Sequence, residues 1–95
     1  MNDNYDTLKK VLARAFEQAA SGKGQARHGN GRPFEEQPMQ VISELLGSSD
    51  GMLFQAMKKV QESQRLASRP HRVGELLGAI VYIAGAIIYI EENDS

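Results

Sequence analysis

The chain has 95 residues, a length that fits one domain. It contains no cysteine, which excludes disulfides, thiolate zinc sites and cysteine nucleophiles. Its formal net charge of −1 argues against a long nucleic acid as its partner. Because a chain this short buries only about 60–65% of the surface that its unfolded form exposes, we expect self-association to supplement its core.

Residues 4–20 are predicted to form an amphipathic helix, because apolar side chains recur there at steps of three and four residues. The stripe consists of Tyr5, Leu8, Leu12, Ala15, Phe16 and Ala19. Gly22 and Gly24 are expected to end this helix.

Residues 21–37 are predicted to form a long glycine-rich loop, since they hold four glycines, an Asn-Gly pair and a proline. Loops of this length are uncommon in compact domains and are usually functional or disordered. Residues 18–34 include no acid, while Lys23, Arg27 and Arg32 give them a charge of +3. Since the whole chain carries −1, the remainder carries −4. A local basic segment on an acidic body favours a small anionic ligand.

A phosphate is the anion that this loop fits best. Glycines expose backbone N–H groups beside Lys23, and arginines can grip a phosphate with two hydrogen bonds. Polar side chains add donors, and an aromatic ring can stack on a base. The predicted ligand-binding residues are Tyr5, Lys23, Gln25, Arg27, His28, Asn30, Arg32 and Phe34. The alternative is a solvated loop whose charges serve solubility.

Two further helices are predicted over residues 38–46 and 50–66. Pro38 suits a first helical position, Gly47 ends the first helix, and Ser48 or Ser49 can cap the second. The expected buried side of the first helix is Met39, Ile42, Leu45 and Leu46. In the second, one face carries Leu53, Ala56, Met57, Val60 and Ala67.

The last helix, predicted over residues 70–92, is apolar on all sides and must therefore be covered on all sides. Gly78-Ala79 recurs as Gly85-Ala86, which gives a row of small residues that a partner helix could approach closely. Alternatively, this row accommodates the first helix within one chain. The apolar run 76–90 spans roughly 22 Å against about 30 Å of hydrocarbon, so we predict no membrane crossing.

Acidic residues give no clear catalytic pattern. A helical metal-dependent nucleotide hydrolase needs paired acids at helical spacing, and no Glu-x-x-Glu pair stands on a clear helix. These acids are expected to be surface charges, and the alternative for Glu75 is a pair with Arg72 or with a loop arginine. We therefore predict no enzyme activity, no catalytic residue, no metal and no cofactor.

The run Lys23-Gly24-Gln25-Ala26-Arg27-His28-Gly29-x-Gly31-x-Pro33-Phe34-x-x-Gln37-Pro38, with Glu75-Leu76-Leu77-Gly78-Ala79 later, resembles short proteins of phages and prophages. In size, helicity and its basic loop the chain is also similar to phage anti-defence "sponge" proteins. Those bind cyclic nucleotide or cyclic ADP-ribose signals between subunits and so silence the host. The similarity is one of layout, and it carries over no ligand residue by position.

Taken together, the sequence predicts an all-α bundle of about four helices spanning residues 1–95, with a basic loop over 21–37, assembled as a homo-oligomer through helix 70–92. Its expected function is to sequester a small phosphate-bearing ligand, such as a cyclic nucleotide immune signal, without chemistry. The alternatives are an adaptor or inhibitor that presents the loop to a host protein, and a degenerate nucleotide pyrophosphohydrolase. The polar, acidic N-terminus does not resemble a signal peptide, so we expect a cytoplasmic protein, in the host cell if a phage encodes it.

Overall fold

The computed structural model describes residues 3–21 and 33–93, and these residues contain helices and no strand. The four α-helices are α1 (Asp6–Ser21), α2 (Pro38–Leu46), α3 (Asp50–Ser63) and α4 (Arg69–Asn93). Short 3₁₀ turns, Asp3–Tyr5 and Phe34–Glu36, precede α1 and α2. The prediction of an all-helical chain is confirmed.

Local chemistry fixes the ends of the middle helices. Pro38 begins α2, where its missing N–H is no loss. Gly47 ends α2 in the left-handed conformation, with φ 68° and ψ 27°. The Asp50 N–H then donates to Ser48 Oγ over 3.0 Å at the start of α3. Helix α3 stops at Ser63, three residues before the predicted end at 66.

Helix α4 is the centre of the fold, with its most extensive contacts to α3 and the next most extensive to α1. Its face toward α2 and α3, here called the inner face, carries the small residues Gly78, Ala79, Gly85 and Ala86, all buried. A Cβ on Gly85 would stand 2.8 Å from Met52 Sδ and 3.1 Å from Met39 Sδ. One on Gly78 would stand 2.9 Å from Lys59 Cδ. The small residues therefore permit close packing inside the chain, against α2 and α3 and not against a partner helix.

Two glutamine side chains connect other helices to α4. The Gln40 amide donates to the Gly85 carbonyl over 3.1 Å, and Gln40 is only 3% exposed. The Gln18 amide donates to the Gly74 carbonyl over 3.2 Å and links α1 to the first half of α4. Because both acceptors belong to glycine residues, no side chain on the acceptor residue obstructs either amide.

The core within the described residues is thin. Its buried apolar residues are Ala15, Met52, Ala56, Leu77, Ala79 and Ala86, and four of these six are alanine. By contrast, 17 large apolar side chains of the described residues are exposed. Little hydrophobic stabilisation therefore comes from within one chain.

The predicted buried side of α2 is largely wrong. Helix α2 buries the polar Gln40 and Ser43 and half-buries Met39, whereas Leu45 is 80% exposed. Other members of the apolar faces of α1, α2 and α3 are exposed as well: Leu8, Leu12, Phe16, Ile42, Leu46, Leu53, Met57 and Val60. The physical reason is the close approach to α4, which leaves room for small and polar side chains and turns the large ones outward.

Among the described residues, α4 is the one helix that is long and apolar enough to cross a membrane. An 18-residue window of it has a mean hydropathy of 2.0, and 28% of that window is buried. Core helices of soluble proteins meet the same criterion of length and composition.

Candidate functional site

Six of the eight predicted ligand residues lie outside the described part of the chain: Lys23, Gln25, Arg27, His28, Asn30 and Arg32. The other two are described. Tyr5 is 60% exposed at the end of the turn before α1, and Phe34 is half-buried in the turn before α2. Neither ring lines the two cavities described below.

An open cavity of about 370 Å³ lies between the C-terminal half of α1 and the start of α4. Its described lining comes from two helices: Arg14 and Gln18 of α1, and Arg69, Pro70, Val73, Gly74 and Leu77 of α4. This volume is at the lower end of the range of about 300–1,000 Å³ that is usual for small-molecule pockets.

The charged residues in the lining of this cavity are basic, and the described lining holds no acidic residue that would neutralise them. Arg14 and Arg69, both exposed, line it from different helices. Among residues 3–21 and 33–93, neither arginine takes part in an ion pair or a side-chain hydrogen bond. Two cations that share one cavity repel each other unless an anion lies between them. The arrangement therefore favours an anionic ligand that can accept several N–H donors.

The helices hold the cavity walls in place through a contact described above. The hydrogen bond from Gln18 to the Gly74 carbonyl fixes α1 beside α4, and buried Leu77 closes the inner end of the wall. Arg14 lies one turn before Gln18, so it projects from the same side of α1. The predicted basic loop begins where α1 ends, at Ser21, one turn beyond Gln18.

Sequence reasoning missed this pair of arginines. Arg14 lies off the apolar stripe of α1 and Arg69 precedes a proline, so both are typical of solvated surface positions. They are 55 positions apart, and no local pattern connects them. A sequence signal that bears on the contact between their helices is Gln18, whose long amide side chain lies beside the apolar stripe and can hydrogen-bond to a neighbouring helix.

Glu75 does not pair with Arg72, and the loop arginines named as its other candidate partners lie outside the described residues. Glu75 Oε1 lies 3.1 Å from Lys59 Nζ, and both side chains are about one quarter exposed. Lys59 Nζ also lies 6.0 Å from the centre of the Tyr82 ring. Arg72 instead donates from Nε to the Ser63 carbonyl over 3.2 Å. These contacts join α3 to α4, and Lys59 and Glu75 neutralise each other's charge.

A second cavity, of about 300 Å³, lies where α2 ends and is lined by Gly47, Ser48, Ser49, Tyr89, Ile90 and Asn93. Its described lining includes no charged side chain. Within residues 3–21 and 33–93, no three His, Cys, Asp or Glu residues are grouped so that they could hold a metal ion. Comparisons with protein-family models, curated proteins and solved structures found no match.

Proposed function

We propose that this chain is a homo-oligomeric binding protein that sequesters a small phosphate-bearing ligand, a nucleotide or cyclic nucleotide signal, without chemistry on it. The observation that carries the proposal is the unopposed pair Arg14 and Arg69 on an open cavity beside the end of α1. Guanidinium groups match phosphate oxygens in geometry and charge, whereas a neutral ligand forms no charge-assisted hydrogen bond with them.

The predicted loop residues supply the second part of this proposal. The loop carries three further cations and follows α1 within one turn of the cavity wall. Lys23, Arg27 and Arg32 would then neutralise the remaining phosphate charge, while Tyr5 or Phe34 would stack on a base. The loop's contribution and the cavity's contribution can be separated by mutation.

The test is a thermal-shift and calorimetry panel of cyclic dinucleotides, cyclic and linear mononucleotides, and inorganic phosphate. A ligand present at 100 times its dissociation constant stabilises the folded state by about 2.7 kcal/mol. For a domain of this size, that is a rise in Tm of roughly ten degrees or more. No rise with any phosphate compound contradicts the proposal.

A matched pair of variants locates the site. The double variant Arg14→Gln with Arg69→Gln should weaken binding by about 100-fold or more, because each charge-assisted contact is worth about 1.5–3 kcal/mol. The control Lys58→Gln with Arg65→Gln removes the same charge from exposed positions of the α3 region and should bind as the parent does. Lys23→Ala with Arg27→Ala tests the loop separately.

A protein–protein adaptor is the second candidate function. The exposed apolar side chains of α2 and α3, among them Leu45, Phe54 and Met57, favour a protein partner. A nucleotide hydrolase is tested in the same panel, since recovery of unaltered nucleotide after denaturation argues against it.

A further inference from the structure

Helix α4 carries a row of large aliphatic residues centred on the side opposite its buried glycines, and the last of them, Ile90, also lines the cavity at the end of α2. These residues, here called the outer seam, are Leu76, Ile80, Ile83, Ile87 and Ile90. All are exposed except Ile80, which is half-buried. At 3.6 residues per turn, the centre of the seam lies about 160° around the helix from Gly78. The inner face and the outer seam are thus opposite sides of one helix.

The spacing of the outer seam is that of a coiled-coil core. Its residues follow one another at steps of four, three, four and three, the alternation of two core positions in a heptad repeat. Knobs-into-holes packing against another helix requires this alternation.

The charges at the ends of α4 indicate the direction of the partner helix. The first turns carry Arg69 and Arg72, and the last turn carries Glu91 and Glu92. This is the unfavourable sense for a helix dipole, which prefers acids at its N-terminus and bases at its C-terminus. With Leu76 level with Ile87, an antiparallel α4 from a second chain places its Glu91 level with Arg72. Arg69 lies beyond that level and lines the cavity beside α1. A parallel partner would place like charges together.

We infer that two copies of this chain associate through their outer seams, with the two α4 helices antiparallel about a twofold axis. With alternating core positions facing each other, Leu76 of one chain packs level with Ile87 of the other, and Ile80 level with Ile83. The contact buries the aliphatic residues that the thin core of one chain leaves exposed. This inference rests on the self-association in the proposed function and is independent of its ligand.

The first test is sedimentation of variants that remove seam contacts. The parent should sediment with twice the chain mass of 10.5 kDa. Ile83→Gln with Ile87→Gln should weaken dimerisation by about 100-fold or more, because symmetry removes each buried side chain twice. The control Leu45→Gln with Phe54→Gln alters side chains that are even more exposed, on α2 and α3, and should remain a dimer.

Cysteine cross-linking tests the direction, and the parent chain has no cysteine to interfere. Leu76→Cys and Ile87→Cys are prepared as single variants, mixed and oxidised. An antiparallel pair gives the mixed disulfide, because those two positions share a layer. Disulfides within each unmixed variant would show a parallel pair and overturn the stated direction.

Three other results would overturn the seam itself. These are a parent that sediments as one chain, a seam variant that dimerises as well as the parent, and a parent that floats with phosphatidylcholine vesicles. The last would show that lipid covers α4. Far-UV circular dichroism checks that each variant retains its helices. Because none of these measurements includes nucleotide, failure of ligand binding leaves their result unchanged.

Discussion

The inner face and the outer seam of α4 distribute side-chain size in the reverse of the usual order. The inner face carries mostly glycine and alanine against α2 and α3, while the outer seam carries leucine and isoleucine toward the outside. Close packing of small residues brings helices together, but it buries little apolar area. The inner face therefore determines how the helices of one chain pack together. Burial of the outer seam against a second chain would add the hydrophobic stabilisation that the inner face does not supply.

Enlarging a side chain on the inner face should have the largest effect. Gly85→Leu must displace Met52 and Met39, whose sulfurs stand 2.8 and 3.1 Å from the position of a Cβ. We expect the free energy of unfolding to fall by about 3 kcal/mol, measured by urea unfolding at fixed low protein concentration.

The matched control is Ala84→Leu, which adds the same side chain at the neighbouring exposed position. It should change the free energy of unfolding by less than about 0.5 kcal/mol. Equal losses at the two positions would mean that the inner face is no more tightly packed than the surface.

Removing the buried amide should have an intermediate effect. Gln40→Ala removes the hydrogen bond to the Gly85 carbonyl and leaves space in the packed interior. We expect a loss of about 1–2 kcal/mol in the free energy of unfolding. Gln18→Ala removes the same kind of bond at the half-buried cavity wall and should cost about 0.5–1 kcal/mol. A larger loss for Gln18→Ala than for Gln40→Ala would contradict the distinction between the packed inner face and the open cavity wall.

Adding a methyl group at the cavity wall should have the smallest effect, and it should be stabilising. A Cβ on Gly74 meets no atom within 4 Å, and alanine favours a helix interior over glycine by about 0.5–1 kcal/mol. Gly78→Ala obtains the same gain but must push the flexible Lys59 side chain aside, so it should stabilise less. The Tm values of the two variants compare them directly. A lower Tm for Gly74→Ala than for the parent would show that the cavity wall has no space for a methyl group at that position.

The sequence predicted the helices well because their ends have local causes. Pro38 and Gly47 delimit α2 at the predicted residues, and α4 begins one residue before its prediction and ends one residue after it. Burial was predicted poorly, since a period of 3.6 identifies an apolar face without saying whether the same chain covers it. In α2 the buried face carries Gln40 and Ser43, which an apolar pattern cannot reveal.

The candidate site also has one part that local sequence indicates and one part that depends on how the helices pack. The basic loop stays a prediction from composition, since six of its predicted ligand residues lie outside the described part of the chain. Arg14 and Arg69 come together only because α1 packs beside the start of α4. A single sequence contains no local signal for that contact. The heptad spacing of the outer seam was present in the sequence, but the interface prediction rested on the repeated Gly-Ala pairs, whose glycines the structure packs against α2 and α3 of the same chain.

The ion pair between Lys59 and Glu75 has a consequence for sliding of α4 along its neighbours. Because the Gly-Ala pairs repeat after seven residues, a shift of two turns would keep one pair in register and bring His71-Arg72 or Glu92-Asn93 to the place of the other. Such a shift also replaces Glu75 by Tyr82 in one direction and by Ser68 in the other, so Lys59 loses its carboxylate either way. A partly exposed pair adds little to stability, yet here it adds to the preference for the native alignment over the shifted ones. Glu75→Gln should therefore broaden or double the NMR signals of α4 residues, whereas a single sharp set would leave the ion pair without that role.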